Sequence, residues 1–175
     1  SDSVPHAGSS GIRPGTGGSG NPGVIYVGDV GYNWNEDLSA GTSGNNMGWP
    51  CYEAFGSPSV YPYMNPDNSG CSSIGTPENP GTLRFPLIGV NHSDPAESIP
   101  PGVIGQAIVC GVLHQGQNFR EPFRGGRFCG DVIQGWIKVM HVDTDDKLID
   151  VIDFATNANG PVFFAQDPST GDICY

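Results

Sequence analysis

Apolar residues in this chain come in short bursts, not at helical intervals. Runs at 24–27, 83–90, 107–114, 127–132, 136–142, 148–154 and 162–165 are rich in Val, Ile, Phe and Tyr, with Gly, Pro, Asn or Asp between them. β-branched and aromatic side chains fit a pleated surface and the runs have strand length, so each predicts a strand. No stretch sustains the period of a helix. The expectation is an all-β, loop-rich, antiparallel fold. Residues 1–23 lack a periodic apolar pattern and predict a flexible loop or entry segment ahead of one domain at 24–175. Their Gly15-x-Gly17-x-x-Gly20 spells a dinucleotide fingerprint, but that motif must open a helix, and Asn21-Pro22-Gly23 and a predicted strand follow instead.

Weak internal repetition refines the picture. "GDVGYNW" (28–34) and "GDVIQGW" (130–136) share Gly-Asp-Val and a Trp at the same offset, 102 residues apart. "PGVIY" (22–26) and "TGDICY" (170–175) each read as a turn entering a strand, with the aligned glycines 148 residues apart. These separations approach two and three units of about 50 residues, the size of a propeller blade with generous loops, which favours radial repetition over a sandwich.

Composition and charge narrow the function classes. Gly and Pro (27 and 16 residues) approach the level of a disordered chain, but 17 aromatics supply enough burial for a core. The net charge of −11, with six of the seven basic residues at or beyond Arg84, excludes a phosphate backbone as partner. No apolar run is long enough for a membrane helix. Five cysteines in an acidic, Lys-poor chain fit an extracellular or periplasmic location, and the Asn91-His92-Ser93 sequon adds a glycosylation candidate at Asn91. Cys51 with Cys71, flanking a Pro/Tyr/Asn loop, and Cys110 with Cys129, on two strand-like runs, are the expected disulfides, although sequence alone does not fix connectivity. Cys174 is then left over, either buried and free or bonded to another segment or chain.

The stretch 28–53, "GDVGYNWNEDLSAGTSGNNMGWPCYE", concentrates candidate chemistry in what reads as a Gly/Asn-rich loop. Glu36, Asp37 and Glu53 are either a carboxylate pair of the glycosidase kind or, more simply, solvated loop acids. Trp34 and Trp136, at equivalent repeat positions, read as packing between units, whereas Trp49, before Pro50, is the better sugar-stacking candidate. Asp143, Asp145 and Asp146 fail the EF-hand spacing at Lys147 and Leu148 and read as a hairpin turn. His6, His92, His114 and His141 have no metal spacing.

"VGDVGYNWNED" with "NNMGWPCYE", then "FREPFRGGRFCGDVIQGWIKVMHVD" (119–143) and "FATNANGPVFFAQDPSTGDICY" (154–175), resemble the glucose/sorbosone dehydrogenase-like family. The resemblance runs from about Tyr26 onward and is weakest between Gly56 and Pro86. It implies a six-bladed β-propeller, of which 175 residues supply about three blades, and a secreted sugar dehydrogenase using pyrroloquinoline quinone (PQQ) and calcium. By the same resemblance Val30 and Gly31 would offer backbone carbonyls to the calcium, and Arg13 in "GIRPG" would contact the quinone. The sequence departs from the family pattern at Pro14, which replaces an Asn, and at Ile133 and Gly160, where a Lys and an Arg are expected for the quinone carboxylates. The family's catalytic His comes from an earlier blade not contained here. The expectation is therefore the C-terminal part of a secreted sugar dehydrogenase-like propeller, with a sugar or glycan as ligand, not catalytic as this chain alone. It would be completed by the missing blades or by another chain, through Cys174 for example. The alternative is a non-catalytic extracellular scaffold or interaction module, carbohydrate-binding or self-assembling.

Overall fold

The computed structural model describes residues 12–14, 23–55, 57–58, 71–76 and 78–175. Among them the chain is all-β apart from a single helical turn at Cys71–Ile74. Two four-stranded antiparallel sheets dominate. In the first, β1 (Ile12–Pro14), β2 (Gly23–Asp29), β3 (Asn35–Gly41) and β6 (Ile88–Asn91) lie in that order. In the second, β7 (Ile108–Leu113), β8 (Arg127–Asp131), β9 (Ile137–Val142) and β10 (Leu148–Ala155) form an uninterrupted meander. Two short hairpins complete the set: β4 (Tyr52–Glu53) with β5 (Ser57–Pro58), and β11 (Ala165–Gln166) with β12 (Ile173–Cys174).

The sheets pack face to face. Val24, Tyr26, Leu38, Ala40, Ile88 and Val90 of the first meet Ile108, Cys129 and Met140 of the second in one apolar core. The far face of the second sheet carries Phe128, Ile137 and Val139, which pack with Phe164, beside β11, and the phenylalanine rings at 119, 123 and 154. The inner strand β8 is thus buried on both faces, whereas the edge strand β10 keeps no fully buried residue. A buried cation crosses the first core: the Arg127 guanidinium lies 3.5 Å from the centre of the Tyr26 ring, whose hydroxyl donates to Asp146. Burial, with that carboxylate, pushes the Tyr26 pKa up to about 12.

Six of the seven predicted runs contain most of a strand, and the seventh, 162–165, only reaches the start of β11. Two expectations are corrected. The part of the leading segment at Ile12–Pro14 is not loop but a strand, with Arg13 opposite Val24; the remainder of 1–22, including the Gly15–Gly20 motif, lies outside the described residues. Residues 35–41, expected within a loop, form β3, an inner strand buried along nearly its whole length. Of the run 83–90, only 88–90 is strand, and Leu83 instead makes an isolated parallel bridge with Asn46.

The disulfides Cys51–Cys71 and Cys110–Cys129 are both formed, as expected. They fit an oxidising environment. Cys174 is free, and it is exposed, not buried. No helix among the described residues is long and apolar enough to cross a membrane. The Asp-rich segment after β9 is a hairpin turn: Asp143 Oδ1 accepts the N–H groups of Asp145 and Lys147, both at 2.9 Å.

A carboxylate cluster at the β2–β3 turn

The two Gly-Asp-Val repeats occupy equivalent places. Asp29 ends β2 and Asp131 ends β8, and after a short turn Trp34 and Trp136 each stand immediately before the next strand. Within the first turn Gly31 is required by sterics: a Cβ there would come 1.7 Å from the carbonyl oxygen of Asn35, so no side chain is tolerated without moving the start of β3.

Side chains alternate across β3, and its acids divide accordingly. Glu36 points toward the second sheet and is completely buried. Its Oε2 accepts the Ile108 N–H at 2.9 Å and its Oε1 lies 2.6 Å from His92 Nε2, so it ties the two sheets together. Burial raises its pKa, opposed by these two partners.

Asp37 points the other way, and Asp29 is its direct cross-strand partner. Asp37 Oδ2 accepts the Ala54 N–H at 2.9 Å, and Glu53 Oε1 accepts the Tyr32 N–H at 3.0 Å. The second oxygen of each, Asp37 Oδ1 and Glu53 Oε2, is buried with no hydrogen-bond partner. Burial first, then the charges of Asp29, Glu53 and Glu36, push the Asp37 pKa up to about 7, against the pull of the Ala54 N–H. Asp29 is raised too, by burial and by Glu53. Three carboxylates therefore gather on one face of the first sheet, in a stretch (23–55) with no Lys or Arg. Acids brought together in this way favour taking up protons.

Next to it, Trp34, Phe55 and Ile99 form the apolar side, and Asn35, Asn91 and Glu97 the polar side, of a cavity of about 360 Å³. Trp34 is 42 % exposed, so the expectation that it packs between units is corrected, while Trp136 is 9 % exposed and donates from Nε1 to the Ile104 carbonyl at 2.7 Å. In the second repeat the turn, of the same length, closes around Asp131, which accepts four backbone N–H groups, and Trp136 is folded inward there. Among the described residues nothing comparable closes around Asp29.

Against the sequence expectations, Val30 is exposed and Gly31 half-buried in the turn beside the trio. Trp49 is exposed in the turn that leads to Cys51, and it does not line the Trp34 cavity. The side chain of Arg13 lies outside the described residues. Asn91 is corrected as a glycan acceptor: it is 2 % exposed, its Nδ2 donates to Asn35 Oδ1, and its Oδ1 accepts from Ser93 and Asp94, so this fold has no room for a sugar on that nitrogen. Asp29 and Phe55 were not singled out in the sequence as site residues. The available clue was the position of Asp29 at a strand end just before a tight Gly turn.

No protein-family model matches the chain, and neither a curated protein nor a solved structure does. Among the described residues no group of three or more His, Cys, Asp and Glu side chains is arranged to hold a metal ion. A tricarboxylate such as PQQ does not fit: it would meet Asp29, Asp37 and Glu53, and no cationic side chain in 23–55 would face its carboxylates.

Proposed function

We propose that this chain is part of an extracellular β-propeller of the glucose/sorbosone dehydrogenase type, in which the enzyme's cofactor end is kept as a binding and cation-holding face without sugar oxidation. The observation that carries this is the carboxylate trio at the turn where the resemblance places the calcium and quinone. Asp37 Oδ1 and Glu53 Oε2, buried and unpartnered, suit a hard cation, whereas a quinone with three carboxylates would be repelled. Two four-stranded antiparallel sheets packed face to face, the second a simple meander, and a following hairpin support a blade-like arrangement. The two disulfides support secretion.

Thermal unfolding with calcium, with PQQ and with both tests this function. Calcium alone is expected to raise Tm, because it binds only the folded trio, and Asp37→Asn should abolish the shift. PQQ should add nothing, and glucose should reduce no dye in its presence. A further rise with PQQ plus calcium, together with sugar-dependent dye reduction, would instead establish the dehydrogenase.

A further inference from the structure

A larger cavity lies at the other end of the sheets. Glu36, just past the β2–β3 turn, reaches Ile108 at the start of β7, and Ile108 pairs with Asp131 beside the β8–β9 turn, so those two turns share one end. Residues 114–126 leave the opposite end of β7. There a cavity of about 670 Å³ opens between 115–118 and the turn of the β11–β12 hairpin, a volume in the range of small-ligand sites.

Its walls are fastened to each other. Gln115 N–H donates to Gln166 Oε1 at 3.2 Å, Gln166 Nε2 donates to the Gly171 carbonyl at 3.2 Å, and Asn118 Nδ2 donates to Asp172 Oδ1 at 2.8 Å and to the Thr170 carbonyl. Fixing the walls in advance removes part of the ordering cost of binding. These bonds occupy the side chains of Gln166 and Asn118 but leave the exposed amides of Gln115 and Gln117 with no partner among the described residues. Asp167 Oδ1 accepts from Ser169 N, Ser169 Oγ and Thr170 N, which hold its carboxyl below the usual range, while its Oδ2 accepts from no described residue. Phe163, 62 % exposed, offers an aromatic ring at the same place.

Behind Gly116 sits His114, buried, with neither ring nitrogen in a hydrogen bond of good geometry. A Cβ at Gly116 would lie 2.9 Å from its Nε2. Burial chiefly holds its pKa down, so at neutral pH the ring adds no charge to the cavity. No Lys or Arg lines the cavity, which leaves an anion without a counter-charge. Side-chain amides that both donate and accept, one ionised acceptor and an aromatic face match vicinal hydroxyls and the apolar face of a sugar ring.

We propose that this cavity is a binding site for a neutral glycan of about two sugar rings, gripped by Gln115, Gln117 and Asp167 and stacked on Phe163. It is separate from the carboxylate trio and does not rest on the propeller assignment.

Titrating the ¹⁵N-labelled chain with cellobiose, and separately with maltose, to about 50 mM tests it by amide chemical shifts, since a site of this kind binds with Kd near about 1 mM. The expected result is that at least one disaccharide shifts Gly116–Asn118, Ser169–Gly171 and the side-chain amides of Gln115 and Gln117, leaving 28–55 unmoved. Phe163→Ala and Gln117→Ala, both exposed and so harmless to folding, should each weaken binding about fivefold, and Trp34→Ala should not. Absence of shifts with both disaccharides, shifts confined to 28–55, or unchanged affinity in both cavity variants would overturn the proposal. Because the readout is local, its failure is distinct from failure of calcium to stabilise the trio.

Discussion

The two Gly-Asp-Val turns start from nearly the same sequence and end in opposite electrostatic states. At Asp131 the carboxylate is completely buried and saturated: Gln106 and Ala107 donate to Oδ2, Ile133 and Gln134 to Oδ1, at 2.7 to 2.9 Å. Trp136 closes over the turn with its indole N–H paired. At Asp29 no described residue makes such a closure; the carboxylate lies beside Asp37 and Glu53, its pKa is raised, and Trp34 is left toward solvent. One turn uses its acid to hold the fold, and the other gathers acids that the fold does not need. Acids whose pKa values are raised by burial and by one another's charge gather at functional sites, which marks the first turn as the candidate.

Substitution of the two aspartates should separate these roles most sharply. Asp131→Ala leaves four N–H groups without an acceptor and is expected to lose about 3–5 kcal/mol in urea unfolding, whereas Asp29→Ala should stay within about 0.5 kcal/mol of the parent or gain slightly. Equal losses would erase the distinction.

The next largest effect is pH-dependent. With the folded-state pKa of Asp37 raised to about 7 from 3.8, the folded chain holds a proton that the unfolded chain releases, so stability falls as pH rises from 3.8 through 7. Asp37→Asn, which keeps an acceptor for the Ala54 N–H, should therefore match the parent below that window and exceed it at pH 8 by on the order of 4 kcal/mol, in the absence of calcium. Urea midpoints of both proteins at pH 3.5 and pH 8 supply the comparison; a variant less stable at pH 8 would contradict it.

The smallest contrast concerns the tryptophans. Trp136→Phe loses the bond to the Ile104 carbonyl and part of a buried ring, for about 1–2 kcal/mol, while Trp34→Phe should change stability by less than about 0.5 kcal/mol. Thermal unfolding of the two variants side by side resolves this.

Strands built from β-branched and aromatic residues, such as Ile137–Val142, were legible in the sequence because their burial needs only a neighbouring sheet. Strand β3 was not, because Asn-Glu-Asp-Leu-Ser-Ala-Gly holds one large apolar residue, Leu38. Its polar side chains are buried only because Asn91, Ile108 and Ala54, at separations of 17 to 72 residues, provide their hydrogen bonds. Tertiary partners of that kind leave no periodic pattern in the chain. The same holds for the site. The stretch 28–53 could be singled out by its acids and tryptophans, but that Asp37 joins Asp29 while Glu36 turns to the other sheet depends on strand alternation, invisible while the segment reads as loop. The sugar-sized cavity near His114 was illegible for another reason, since it is assembled from 115–118 and 163–171 across a fold of the chain.

The β2–β3 turn gathers acids whose mutual repulsion and burial raise the pKa of Asp37. Titration of the Asp37 side-chain carboxyl by ¹³C NMR in calcium-free buffer tests it most directly: a midpoint near pH 7 is predicted, moving down when calcium is added. A midpoint near that of a free aspartate would show that Asp37 is ordinarily solvated and would contradict the account.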